Sequence, residues 1–297
     1  MTVDQATVAT ETGARVATGS ARPETGRANF LQVVRVIWMR EVLIYVRDRP
    51  RMISAFIMPI MMLVMFGEGL GNSIATLPGD IGYRQFIFPG MVAMIVLMNS
   101  VFSGVSIVTD RQFGFLREIL VAPVSRSAIC IGKIAGGATI ALVNGLVMFV
   151  MAPILGIDIS LEIVGKLIPL IILVSIMLTG LGVAMGSRLR SVESFQMISQ
   201  VAIFPAMFLS GIFFPINNIP AWMDVIVKIN PVTYAVAPIR EIALSEQLSA
   251  LPADAPFQIT HVDWFGYTLS TWEEIGIVFV FAVAMLTISI RAIRTTE

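Results

Sequence analysis

Charge is scarce in this chain. Only 13% of its 297 residues are Asp, Glu, Lys or Arg, where a soluble domain carries about 25%. Histidine is reduced to His261 and cysteine to Cys130. A single Cys excludes a disulfide framework within the chain, and a single His leaves no histidine cluster for a metal. Acids and bases balance to a net charge of zero, which argues against nucleic acid as a partner. A nucleotide-binding loop is missing as well. Gly132–Lys133 is followed by Ile134 and Gly165–Lys166 by Leu167, where a P-loop needs Ser or Thr. Nucleophile elbows and HExxH are absent. A membrane enzyme handling lipid would have to work with His261 and Asp263 alone.

What the chain has in abundance is apolar sequence, 56% of it hydrophobic. A bilayer core takes roughly 20 apolar residues of helix. Six stretches read as spans: 53–70, 86–109, 129–155, 162–186, 195–213 and 274–291. The predicted fold is therefore an all-α integral membrane protein with six transmembrane helices. Residues 1–29, rich in Thr, Ala, Gly and Arg with no apolar core, read as a disordered tail rather than a cleavable signal peptide. Residues 292–297 form a second short tail.

Lys and Arg set the orientation, because positive loops stay cytoplasmic. With the N-terminus inside, sixteen of the twenty bases are cytoplasmic. The four outside are Arg84, Lys166, Lys228 and Arg240. Both termini are thus expected in the cytoplasm. Before the first span, Leu31, Val34, Trp38, Val42 and Tyr45 recur at helical spacing among Arg35, Arg40 and Arg47. That pattern predicts a helix lying at the cytoplasmic interface. In the outer segment 214–273, Pro220 and Asn230–Pro231 look like helix starts. The two apolar stretches that follow are too short to cross, and fit a re-entrant helical hairpin. Trp264, Tyr267 and Trp272 are suited to the outer headgroup level.

The spans themselves offer Asn99, Asn144, Gln196 and Gln200 as neutral polar residues, better read as interhelical hydrogen-bonding glue than as ion ligands. No proton relay or charge ring stands out, so a channel is disfavoured. A transporter of this composition needs its energy delivered from outside the spans. The polar loop 110–128 is the place to look. If 110–121 is helical, Phe113, Leu116 and Leu120 form one stripe, with Asp110, Arg111, Arg117 and Glu118 as its charges and Pro123 as its stop. Such a helix suits a groove on a partner, or an elbow packed on its own spans.

The run D-R-Q-x-G-x-L-R-E-I-L-x-A-P-V-S-R from Asp110, followed by Gly132–Lys133, resembles the cytoplasmic loop of type-2 ABC exporter permeases. A second match is "SGIFFPINNIPAWMDVIVKINPVTY", Ser210–Tyr234. The resemblance covers about residues 30–291 and is nearest to the daunorubicin-type drug-exporter branch. Asp110 and Gln112 depart from the usual acids, and Phe115 stands where Thr is common.

The resemblance implies a permease of two six-span subunits, identical or homologous, seated on two copies of an ABC ATP-binding subunit. ATP and Mg would be held by that partner, and this chain would bind no cofactor or metal. Asp110, Arg111, Phe113, Leu116, Arg117 and Glu118 would belong to a coupling helix in contact with the ATPase. The expected setting is a bacterial plasma membrane. In the family the first and fifth spans lie near the dimer seam, which makes Met62, Phe66, Met207 and Phe208, together with Asn99 of the second span, the candidate substrate path. The 18 Met and 18 Phe suit adaptable apolar surfaces, so a lipophilic drug, antibiotic or lipid is expected. A polysaccharide or glycolipid is the alternative.

Overall fold

A computed structural model of the chain describes residues 29–69, 82–114, 124–216, 219–249, 262–264 and 267–294. The helices are α1 (Phe30–Arg47), α2 (Arg49–Gly69), α3 (Tyr83–Phe102), α4 (Val105–Gln112), α5 (Arg126–Met151), α6 (Leu161–Arg188) and α7 (Val192–Phe208). They are followed by α8 (Ala221–Ile229), α9 (Pro231–Ala243), the one-turn α10 (Ser245–Ser249) and α11 (Thr271–Arg294). A two-stranded antiparallel ribbon, β1 (Asp263–Trp264) with β2 (Tyr267–Thr268), precedes α11.

Local chemistry sets the helix starts. Ser125, Ser160 and Ser191 each turn a hydroxyl onto the backbone N–H three residues on, at 3.3, 3.4 and 3.1 Å. This satisfies a donor that the first turns of α5, α6 and α7 would leave bare. Asn230 accepts from Val232 N at 3.1 Å, with Pro231 as the first residue of α9. The second predicted span is a single apolar run over Tyr83–Gln112, broken by a turn at Ser103–Gly104.

That turn meets α6 backbone to backbone. A Cβ on Gly104 would lie 2.1 Å from Gly182 O, and one on Gly182 would lie 2.2 Å from Val101 O. α6 is the central helix, packed against α3, α5 and α11, while α2 leaves most of its surface outside the bundle. We call the end formed by α4 and the start of α5 the loop end, and the opposite one, formed by α8 and α9, the hairpin end.

Among the described residues, five helical stretches are long and apolar enough to cross a membrane: α2, α3–α4, α5, α6 and α11. The span expected over 195–213 is shorter than the sequence suggested. α7 has 17 residues, about 25 Å of helix, and stops at Phe208. Gly211 then adopts a left-handed φ of 83°, a conformation that ends helices.

On α1 the stripe of Val34, Trp38 and Tyr45 packs along α5, with Trp38 Nε1 donating to Thr139 Oγ1 and Tyr45 Oη to Asn144 Oδ1, both at 2.9 Å. The outward face carries Val36, Met39, Leu43 and Val46.

Candidate functional site

The helix expected over 110–121 is corrected at its root. Asp110, Arg111 and Gln112 finish α4, the extension of the second span, and Gly114 at φ 80° turns the chain away. Asp110 does not point to solvent. Its carboxylate is buried between Arg40 of α1 and Lys133 of α5, with Lys133 Nζ 2.7 Å from Oδ2. The same ammonium reaches Glu41 Oε1 at 2.8 Å and Ser106 Oγ at 3.0 Å. It thus has two hydrogen-bond acceptors and one further ion-pair contact, and the two bases and two acids sum to zero. Neutrality and close ion pairing let such a cluster persist out of water.

Arg111 donates to the carbonyls of Ser187 and Leu189, at 2.5 and 3.0 Å, where α6 ends. A cation suits the negative end of a helix dipole. Two adjacent residues therefore tie the root of the loop to α1, α5 and α6. Phe113 is 74% exposed just beyond them. Leu116, Arg117 and Glu118 lie outside the described residues.

Two cavities rise from this region. The first, about 240 Å³, lies against the ion cluster and is lined by Arg40, Glu41, Tyr45, Ser103, Ser106 and Thr109 among others. The second, about 360 Å³, lies between α2, α3 and α7 and is lined largely by Ala55, Met58, Met94, Met98, Gln200 and Phe204. Its volume is at the lower end of the range for small-molecule sites. Arg51 and Asn99 line both.

Of the expected path residues, Asn99 is on this route. Met207 is not, being fully buried in the core. Phe66 and Phe208 gather around Phe213 near the end of α7, with ring centroids at 6.0 and 4.7 Å. Met62 packs against the main core. Sequence reasoning missed Arg51, Met58 and Phe204. It also missed the cluster around Lys133, whose partners Asp110, Ser106 and Glu41 lie 23, 27 and 92 positions from it in sequence.

At the hairpin end, the guanidinium of Arg240 is buried over the ring of Phe86, 4.0 Å from its centroid, and donates to Gly211 O at 2.5 Å. Tyr83 Oη donates to Phe213 O at 2.7 Å. These bonds fix the turn after α7 to α3 and α9. Among the described residues, no group of three or more His, Cys, Asp or Glu side chains could hold a metal.

Long apolar helices and a braced loop mark the chain, and comparisons with known proteins show its family. A 210-residue region is 28% identical to the probable doxorubicin resistance ABC transporter permease DrrC of Mycobacterium tuberculosis, covering 67% of this chain and 72% of that one. The daunorubicin resistance ABC transporter permease DrrB1 of Streptomyces coeruleorubidus is 25% identical over 226 residues, covering 75% and 79%. The inner membrane transport permease YadH of Escherichia coli is 21% identical over 246 residues, covering 82% and 94%. The family model for ABC-2 type transporters matches residues 32–244, from the packed face of α1 through the hairpin end, and the chain belongs to that family of membrane permeases.

Proposed function

We propose that the chain is the permease subunit of an ATP-driven exporter of lipophilic drugs, antibiotics or lipids. It works with a second permease, identical or homologous, and two separate ATP-binding subunits docked at the loop end. ATP and Mg belong to those partners. The observation that carries this reading is the apolar cavity between α2, α3 and α7, continuous in its lining with a polar one beside the braced loop. Its size and its thioether and aromatic walls suit a compact lipophilic body better than an extended sugar chain. The relatives whose names carry doxorubicin and daunorubicin resistance point the same way.

The Arg-rich loop end faces the cytoplasm. α7 serves as the sixth crossing, completed by the turn through Ile212, and α8–α9 form the re-entrant hairpin of the outer leaflet. Both termini are then cytoplasmic. α1 lies at the inner interface with its outward stripe of Val36, Met39, Leu43 and Val46 in lipid.

Asp110 and Arg111 act in coupling by holding the loop, while Phe113, Leu116, Arg117 and Glu118 meet the ATPase. Truncating a buried interfacial charge costs about 2–5 kcal/mol. Glu118→Arg and Leu116→Asp should therefore leave the protein inserted, while co-purification of the ATPase, or its stimulation by substrate in vesicles, is lost. Normal binding, stimulation and export in both variants would refute the coupling role.

A further inference from the structure

We propose that the junction of the two cavities selects an acidic amphiphile, with Arg51 as the residue that receives its carboxylate or phosphate group. This rests on the reading of the cavities as the transport route and adds a substrate class to it.

The charge balance carries the argument. Of the charged residues lining the inner cavity, Arg40, Glu41 and Asp110 are engaged in the neutral cluster with Lys133. Arg51 is the base left over. Asp48 does not neutralise it at contact distance: the Asp48 carboxylate accepts from the backbone N–H of Arg51, at 3.2 Å. Among the described residues the guanidinium has no carboxylate within ion-pair reach. It lies over the ring of Tyr45, 5.8 Å from the centroid. Tyr45 is itself held by Asn144 at 2.9 Å, so the stacking partner is fixed in place.

A stacked guanidinium keeps its fork of N–H donors for a planar or tetrahedral oxyanion, and guanidinium is weakly hydrated enough to give up water readily. Asn99 stands beside it on both cavity walls. One of its N–H groups is engaged with Ile95 O at 2.9 Å, leaving the second for a ligand. Beyond this pair the outer cavity is mostly thioether, methyl and ring, with Gln200 as a further polar group.

The site thus offers an apolar pocket next to an exposed guanidinium that has no carboxylate within ion-pair reach among the described residues. An amine of the same shape would meet Arg51 as a like charge; Glu41 and Asp110 already have their cations, and the Asp48 carboxylate is engaged by the backbone N–H of Arg51. The selection is for an acid over an amine of the same shape, and it sets this chain apart from the relatives named for doxorubicin and daunorubicin, which are amines.

The test uses the purified full chain and two fluorescent probes of matched length, a dansyl-labelled fatty acid and a dansyl-labelled alkylamine. The acid should bind at least about tenfold more tightly. Arg51→Gln should weaken it by about ten- to a hundredfold, the worth of a hydrogen bond to a charged group, and leave the amine unchanged. Arg51→Lys should keep the preference for the acid.

Met58→Trp, which fills the apolar pocket, should weaken both probes. Equal affinity for the two probes, or an equal loss of both in Arg51→Gln, overturns the proposal. If Met58→Trp still blocks both in that case, the cavity remains a ligand site and only the charge selection fails. If Met58→Trp affects neither probe, the transport-route reading fails with it. Displacement of the acid by phosphatidylglycerol supports the anion site with a lipid headgroup as its source. Displacement by decanoate but not by phosphatidylglycerol supports it with a free acid.

Discussion

Lys133 is the member of the ion cluster whose loss should be felt most. Its side chain is 2% exposed and touches two carboxylates on two other helices, Glu41 at 2.8 Å and Asp110 at 2.7 Å. Lys133→Met keeps the volume and removes the charge. Asp110 then retains Arg40, whose side chain is 35% exposed and whose pairing is worth under about 1 kcal/mol. Glu41, 10% exposed at the side chain, is left without its cation. Removing one partner of a buried pair costs about 3–5 kcal/mol, a fall in Tm of roughly 6–20 °C on the scale of soluble domains.

The chain carries its own reporter. Cys130 is the sole cysteine, fully buried, and lies one helical turn from Lys133. A thiol-reactive dye that fluoresces on coupling therefore follows unfolding at the relevant place. The companion variant Lys133→Met/Glu41→Met removes both charges and should recover to within about 1.5 kcal/mol of the parent, because an apolar pair replaces an ionic one at little cost. A single variant that melts within 2 °C (roughly 1 kcal/mol or less) of the parent would refute the reasoning. So would a double variant no more stable than the single one.

Gly182→Leu should prevent assembly of α6 against the second span, since its first side-chain carbon would sit 2.2 Å from Val101 O; loss of the monodisperse peak in size-exclusion chromatography checks this. In a Cys130→Ala background, a membrane-impermeant maleimide added to intact cells should label Leu161→Cys, 86% exposed at the start of α6, and spare Phe113→Cys. The reverse pattern would overturn the orientation.

Short-range signals were the legible ones. Asn230–Pro231 and Ser125–Arg126 announce helix starts because a capping side chain and its backbone target lie within three residues. The apolar runs announce their spans for a similar reason, each being one local composition. Facing was not legible. On α7 every side of the helix is apolar enough to look alike, so nothing distinguishes Met207, which is buried in the core, from Phe204, which lines the cavity with Gln200 one turn before it. Glu41, Asp110 and Lys133 sit on three helices, and no sequence spacing brings them together. The loop motif drew notice to Asp110 and Arg111 as outward contacts. The bundle fills the inner side of the loop with them, and sequence alone does not show which side of a loop its charges serve.

The glycine contact between the second span and α6 has a consequence for friction. Interlocked helices must climb out of each other's grooves to slide, because side-chain ridges fill them. At Gly104, Gly182 and Gly186 carbonyl and Cα surfaces touch with no side chain between, so displacement there meets little resistance from rotamers. At the opposite end of the second span, Tyr83 and Phe86 are pinned to the turn after α7 directly and through Arg240. The span is pinned at the hairpin end and again at Asp110 and Arg111, with the smooth glycine contact between the two. A small shear at that contact is handed by Asp110 and Arg111 to three neighbouring helices at once.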